Sequence, residues 1–172
     1  MDKMRILALV AVLAISFNCC MAKTYTANTE KFNIQVTSDE PVQINDKFTP
    51  SFYPNFTAYL VDLWMGNDLF EAIIQDYGTS MEVSEDALKG ANQVSYPMED
   101  PKAKSWVYTD VGGQNGLITI VQIPASIPQY EVVYSPDASG NQGTIIVTIT
   151  AYTGDEKKVE DVLKTLEIHR IT

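Results

Sequence analysis

The chain has 172 residues, with 22 Asp and Glu against 12 Lys and Arg, and a formal net charge of −10 at pH 7. This length fits one domain. Nucleic acids and anionic lipid surfaces select basic patches, so we expect no nucleic-acid partner, and membrane contact only through a lipid anchor.

Residues 1–22 have the pattern of a secretory signal peptide. Lys3 and Arg5 make the start basic, residues 6–17 form an apolar stretch, and small residues precede Lys23. A membrane-spanning helix needs about 20 apolar residues, so this stretch is short for that role. The sequence therefore predicts an exported protein that is periplasmic, secreted or held on an outer surface.

Two processing routes are open at the end of this leader. Cleavage after Ala22 places Ala22 and Cys20 at the positions where signal peptidase needs small residues, and it leaves a mature chain without cysteine. Lipoprotein processing would instead attach a diacylglycerol to Cys19 or Cys20. Phe17 and Asn18 stand where that second route needs small residues, which favours ordinary cleavage, with lipidation as the alternative.

The first part of the mature chain predicts strands followed by a helix. Residues 23–29 are polar and predict a flexible lead-in to a single domain over residues 30–172. KFNIQVT alternates apolar and polar residues as a half-buried strand does, and residues 57–64 predict another strand. DLFEAIIQDYG, residues 68–78, has apolar side chains at helical spacing and predicts an amphipathic helix.

The second part predicts hairpins, a helix and a last strand. SEDALKGA predicts a short helix, and turns at 112–116 and 137–143 separate apolar stretches that form two hairpins. A helix over about 155–165 and a strand over 166–171 complete the chain. Strands joined mainly by hairpins, with two main helices packed against them, predict an α+β domain with a mainly antiparallel sheet.

The end of the chain resembles the PsbP-like family, which includes the DcrB-like lipoproteins. GTIIVTITAYTGDE runs into the helical sequence KKVEDVLKTLEI, which leads directly into the last strand, and EKFNIQV is similar to the family's opening strand. The similarity covers residues 130–171 and 30–37 and includes no catalytic residue, whereas residues 52–101 depart from it. It implies an α/β/α sandwich and a non-enzymatic accessory role outside the cytoplasm.

Residues that most enzymes and metal sites need are scarce. His169 is the single histidine, no G-x-S-x-G motif occurs, and no cysteine follows Ala22. A Ser–His or Cys–His device and a zinc site are therefore disfavoured, and we expect no cofactor. Asp137, Ser139 and Asn141 have the spacing of a calcium loop, but its required Gly and final Glu are missing, which favours a plain hairpin turn.

Carboxylates that lie close in sequence offer an alternative function. Asp62, Asp68, Glu71 and Asp76 could supply the pair that glycoside hydrolysis requires, although a solvated helix face is the simpler interpretation. Convergence of Asp62, Asp68 and Glu71 in one cleft, with raised pKa values, would favour a small secreted hydrolase.

Aromatic residues crowd into residues 48–64. The candidate ligand-binding platform consists of Phe52, Tyr53, Phe56, Tyr59 and Trp64. Exposed rings could stack on a glycan or seat a partner protein, whereas burial in the core is the simpler interpretation. The sequence predicts an exported non-catalytic binding or accessory protein of the cell envelope, whose partner is an unknown protein or glycan.

Overall fold

The computed structural model describes residues 22–95, 104–111, 113–121 and 129–171. The strands are β1 (Lys23–Asn28), β2 (Phe32–Ser38), β3 (Val42–Asn45), β4 (Ser51–Phe52), β5 (Thr57–Met65), β6 (Asp68–Glu82), β7 (Lys104–Val111), β8 (Gln114–Val121), β9 (Gln129–Tyr134), β10 (Gln142–Tyr152) and β11 (Glu167–Arg170). The helices are α1 (Glu85–Ser95) and α2 (Glu156–Thr165). Cys19, Cys20 and nearly all of the predicted leader lie outside the described residues.

The described strands form two antiparallel sheets. The small sheet has the order β1-β2-β11, and the large sheet has the order β3-β5-β6-β10-β9-β8-β7, with β4 paired to β5. Residues 23–28, expected to be a flexible lead-in, instead form β1, which pairs with β2 along its whole length. The described part of the chain is mostly β with two short helices, so the predicted α+β class with two main helices is wrong.

The main error of the sequence prediction lies at residues 68–78. The helix predicted there is wrong, because these residues belong to β6, between β5 and β10 in the large sheet. Phe70 and Ile74 point into the main core, while Leu69 and Ile73 point to the opposite face. A strand that is apolar on both faces has a nearly continuous apolar run, which also satisfies helical spacing.

The turn before β6 shows why the chain continues as a strand. Met65 pairs directly with Asp68, so Gly66 and Asn67 form a two-residue hairpin turn. Gly66 has a φ of 64°, which such turns require and which glycine adopts without steric cost. The hairpin returns the chain antiparallel to β5, where the backbone of β6 pairs with it.

The predictions for the C-terminal helix and the last strand are confirmed. The side chain of Asp155 accepts a hydrogen bond from the Lys158 backbone N–H and caps the start of α2. Val159, Val162 and Leu163 are buried on the inner face of α2, and β11 follows directly.

The large sheet has two different faces. One face packs against the small sheet and α2 and forms the main core, where Phe32 of β2 meets Tyr59 of β5 in a T-shaped contact at 5.3 Å. On the other face, α1 places Leu88 against Leu117, Val133 and Ile146. This second cluster covers β8, β9 and β10, and the side chains of β5 and the first half of β6 on the same face are half-buried or exposed.

Two glycines are expected to respond oppositely to alanine. Gly116, predicted in a turn, lies in β8, where an added Cβ would stand 2.5 Å from Val111 Cγ2 and 3.1 Å from Tyr134 Cβ. Gly116→Ala should therefore destabilise the protein by about 1–3 kcal/mol through overpacking. Gly90→Ala, in α1 with open space around it, should stabilise it by about 0.5–1 kcal/mol. Urea unfolding of both variants tests the pair, and equal shifts would contradict the packing at Gly116.

Candidate functional site

The five aromatic residues of the predicted platform do not lie together. Phe52 is 80% exposed, and Tyr53 and Phe56 stack with ring centroids 4.6 Å apart at the β4–β5 turn. Tyr59 is only 4% exposed and lies in the main core, and Trp64 is 41% exposed near the far end of β5. The alternation of β5 carries the signal for this separation, because its odd-numbered residues face the core and its even-numbered residues face outward.

The outward residues of β5 and β6 form a continuous surface with the end of β10. We call this surface the open face, and it consists of Leu60, Asp62, Trp64, Leu69, Glu71, Ile73 and Tyr152. In its outer row, Leu69 pairs with Trp64 on one side and with Tyr152 on the other. Trp64 and Tyr152 are 41% and 40% exposed, and two strand spacings place their backbones ~10 Å apart.

The next row of the open face holds two carboxylates. Asp62 and Glu71 are directly opposite each other in the β5–β6 ladder. Burial raises the pKa of Glu71, and the charge of Asp62 raises it further. Burial likewise raises the pKa of Asp62, whose Oδ1 atom is buried and accepts no hydrogen bond from the described residues. The pair is therefore destabilised in its fully ionised form.

The other two predicted carboxylates lie on the core side of the same sheet. Lys158 Nζ donates to Asp68 Oδ2 at 2.8 Å and lowers the pKa of Asp68. Arg170 donates to both oxygens of Asp76, at 2.8 and 3.0 Å, and lowers the pKa of Asp76. The structure thus brings Asp62 and Glu71 together and separates Asp68 from them, so the three do not converge.

Sequence reasoning missed members of the open face and a buried carboxylate beside them. Glu131 of β9 is fully buried and continues the carboxylate row, with Thr150 of β10 between it and Glu71. Leu69 and Tyr152 were also missed, because Leu69 was placed on a helix and Tyr152 at a strand end. A lone Glu within the apolar sequence YEVVY was the available signal for Glu131.

A groove of about 340 Å³ borders the open face beside Trp64. Glu40, Pro41, Gln43 and Gly66 form the rest of its lining. A larger groove of about 580 Å³ lies beside α2, where the lysines are already paired: Lys158 bridges Glu40 and Asp68, and Lys157 bonds Asp161. The smaller groove therefore extends the open face with an exposed ring, whereas the larger one is lined by satisfied ion pairs.

The remaining predicted residues have local roles. His169 is exposed and lies 3.2 Å from Glu167 Oε2 on the same strand. Asp137 accepts hydrogen bonds from the backbone N–H groups of Thr144 and Ile145 and holds its hairpin loop closed. Within the described ranges, no cluster of three or more His, Cys, Asp or Glu side chains could hold a metal ion.

No family model, no curated protein and no solved structure matches this chain. The α/β/α sandwich that the PsbP-like resemblance implies is wrong, because the described residues form a mostly β fold with two short helices. The membership of that family and the accessory role that it implies stay predictions. Neither of the two described helices is long and apolar enough to cross a membrane.

The carboxylate pair should cost the protein stability. Glu71→Gln removes a like charge directly opposite Asp62 and is expected to stabilise the fold by about 0.5 kcal/mol near pH 7. A carboxyl with a raised pKa opposes folding once it ionises, so this gain should appear as the pH rises through that pKa and vanish in acid. Thermal unfolding of Glu71→Gln and of the unmodified protein, near pH 7 and in acid, tests this prediction. A lower stability of Glu71→Gln near pH 7 would contradict it.

Proposed function

We propose that the protein is an exported, non-catalytic binding protein and that the open face is its ligand surface. A single observation carries this: one face of β5, β6 and the end of β10 holds two exposed aromatic rings beside two ionisable carboxylates with raised pKa values. Exposed apolar patches bordered by polar groups are typical of interaction sites.

The open face lowers the stability of the folded protein, and this supports a functional role for it. A face selected for stability alone would not place Asp62 opposite Glu71, because like charges in register destabilise a sheet. Perturbed carboxyls and exposed rings in one patch are the combination expected where a ligand later supplies the missing contacts.

Export is supported by the leader pattern of residues 1–22, and intact mass of the protein purified from its native host tests it. A chain that starts at Lys23 would agree with ordinary cleavage and a free protein. A chain that starts at Cys19 or Cys20 with added acyl groups would agree with export to a membrane face. The mass of the full uncleaved chain would contradict export.

Nuclear magnetic resonance tests the proposed surface. Amide shifts of the labelled protein would be followed against soluble oligosaccharides and against basic, neutral and acidic peptides. We expect changes in β5, β6 and β10 that disappear in Trp64→Ala and persist in Phe52→Ala, whose ring lies outside the open face. Changes confined to other elements, or none with any probe, would contradict the open face as the ligand surface.

A carboxylate hydrolase is the second candidate, and the register of Asp62 and Glu71 favours it. Directly opposed side chains have Cβ atoms about 5 Å apart, and paired carboxyls at such short range are used by retaining glycosidases. Chromogenic glycosides test this, with Glu71→Gln and Asp62→Asn each expected to abolish turnover. Activity that survives both substitutions, or no activity in the unmodified protein, would exclude this candidate.

A further inference from the structure

The large sheet has carboxylates on both faces, but the described ion pairs neutralise them on only one. Strands β3, β5, β6, β9 and β10 contain no Lys or Arg. On the core side, Lys158 of α2 and Arg170 of β11 neutralise Asp68 and Asp76. The elements that cover that face, α2 and β11, therefore supply the positive charge that these five strands lack.

The carboxylates of the open face also need positive charge, but no layer of described residues brings Lys or Arg to them. The pKa values of Asp62 and Glu71 are raised, in contrast with the lowered values of Asp68 and Asp76. The buried Asp62 Oδ1 also lacks a hydrogen-bond donor among the described residues. Whatever covers this face must bring donors and positive charge, or it would bury two carboxylates at high cost.

We propose that the open face binds a positively charged, extended segment of a partner protein, with Lys or Arg side chains against Asp62 and Glu71. This inference rests on the binding function proposed above. The aliphatic stems of the basic residues lie on Trp64, Leu69 and Tyr152, because long basic side chains pack their stems on apolar surface. Their charged groups are stabilised by cation–π contacts with the exposed rings and by charge-assisted hydrogen bonds to the carboxylates.

The shape of the surface favours a polypeptide over a small molecule. Small-molecule sites are concave, whereas the open face is the surface of an extended sheet. The groove beside Trp64 has a volume of about 340 Å³, which is enough for a side chain of such a polypeptide. A neutral glycan could stack on the rings, but it would leave the charges of Asp62 and Glu71 uncompensated.

Fluorescence anisotropy with synthetic peptides tests this occupant. The probe is a labelled peptide of about ten alternating lysine and threonine residues, long enough to cross the sheet. We expect it to bind the unmodified protein, with affinity about tenfold weaker in Glu71→Gln and in Asp62→Asn. Glu30→Gln is the matched control, because it removes the same charge from the exposed β1–β2 turn and should leave affinity unchanged.

The matched peptides and variants separate the outcomes. Binding that is lost on lysine acetylation and weakened by Glu71→Gln but not by Glu30→Gln would support the proposal. Equal weakening by both variants would show attraction to net charge alone and overturn it. Binding of neutral oligosaccharides at Trp64 and Tyr152, without binding of the basic peptide, would overturn the cationic occupant and leave the binding function standing. No binding by any probe would overturn both.

The dependence on pH adds a second readout. Among the described residues of β5, β6, β9 and β10, the titratable groups on this side of the sheet are Asp62, Glu71, Tyr77, Glu131 and Tyr152. A bound cation lowers the pKa of Asp62 and of Glu71, so binding releases protons and affinity should rise as the pH rises through their raised values. A flat profile in that range, or no weakening by added salt, would contradict the proposal.

Discussion

Replacing Arg170 with alanine is expected to destabilise the protein by about 3 kcal/mol, because the change leaves a buried carboxylate without its main partner. Asp76 is 3% exposed at its side chain, and the two oxygens accept separate hydrogen bonds from Arg170. The pair joins β11 of the small sheet to β6 of the large sheet. Lys31 Nζ lies 3.6 Å from Asp76 Oδ2 and is still present in the variant. Because it compensates part of the Asp76 charge, the expected loss of stability is at the lower end of the range for broken buried pairs.

The pH dependence distinguishes this charge effect from lost packing. The pKa of Asp76 is lowered in the folded protein, so its contribution is present above the unfolded value and is lost as the pH falls through the folded value. Urea unfolding should therefore show a full difference between Arg170→Ala and the unmodified protein near pH 7, and a smaller one in acid. An undiminished difference in acid would assign the loss to the Arg170 contact with the Phe32 ring.

A surface ion pair provides the control for this variant. Lys157 bonds Asp161 one turn along α2, and both side chains are half-exposed or more. Exposed pairs of this kind contribute little, so Lys157→Ala should leave the unfolding midpoint unchanged within error. If Lys157→Ala lowered stability as much as Arg170→Ala, the burial of Asp76 would not explain the loss in Arg170→Ala.

Truncation of Phe32 to alanine should cost about 3–5 kcal/mol, the second large effect. Phe32 is fully buried at the start of β2, where its ring meets Tyr59 of the large sheet. Removing the ring opens a cavity between the two sheets and also removes the surface on which Arg170 lies. Because domains of this size have only about 5–15 kcal/mol of stability, the variant should unfold at much lower urea.

The same substitution at an exposed position provides the control. Phe52 is 80% exposed in β4, so Phe52→Ala should change stability by less than about 0.5 kcal/mol. If Phe32→Ala does not fold, Phe32→Leu should still show a measurable loss, because a smaller side chain fills only part of the space. Equal behaviour of the variants at positions 32 and 52 would contradict the packing between the sheets.

The sequence prediction was accurate for segments that bury one face and inaccurate for the strand that is apolar on both faces. The helix at 156–165 was predicted well because it has one buried stripe, a capping Asp155 and a polar outer face. Strand β2 was predicted well because the alternation of its residues gives it one buried face. The helix prediction for residues 68–78 was wrong because β6 has apolar residues on both faces. Its sequence therefore lacks the apolar–polar alternation that identifies a strand.

The candidate site was predictable only in part, for the same reason. The sequence drew attention to Asp62, Glu71 and Trp64, which all lie on the open face. It could not join them to Tyr152, about eighty residues further along the chain, because only strand pairing brings β10 beside β6. It also grouped Tyr59 with Trp64, although the alternation of β5 sends the two rings to opposite sides of the sheet.

By itself, the sequence determined the acidity of the chain, its leader pattern, the hairpin turn at 137–143 and its final helix and strand, because each depends on composition or on neighbouring residues. Only the tertiary structure decided that the described strands form two sheets and that α2 and β11 supply cations to Asp68 and Asp76. It also decided that Asp62 and Glu71 face each other with no such cation among the described residues. Pairing between distant strands sets which charges meet, and that register is a property of the folded sheet.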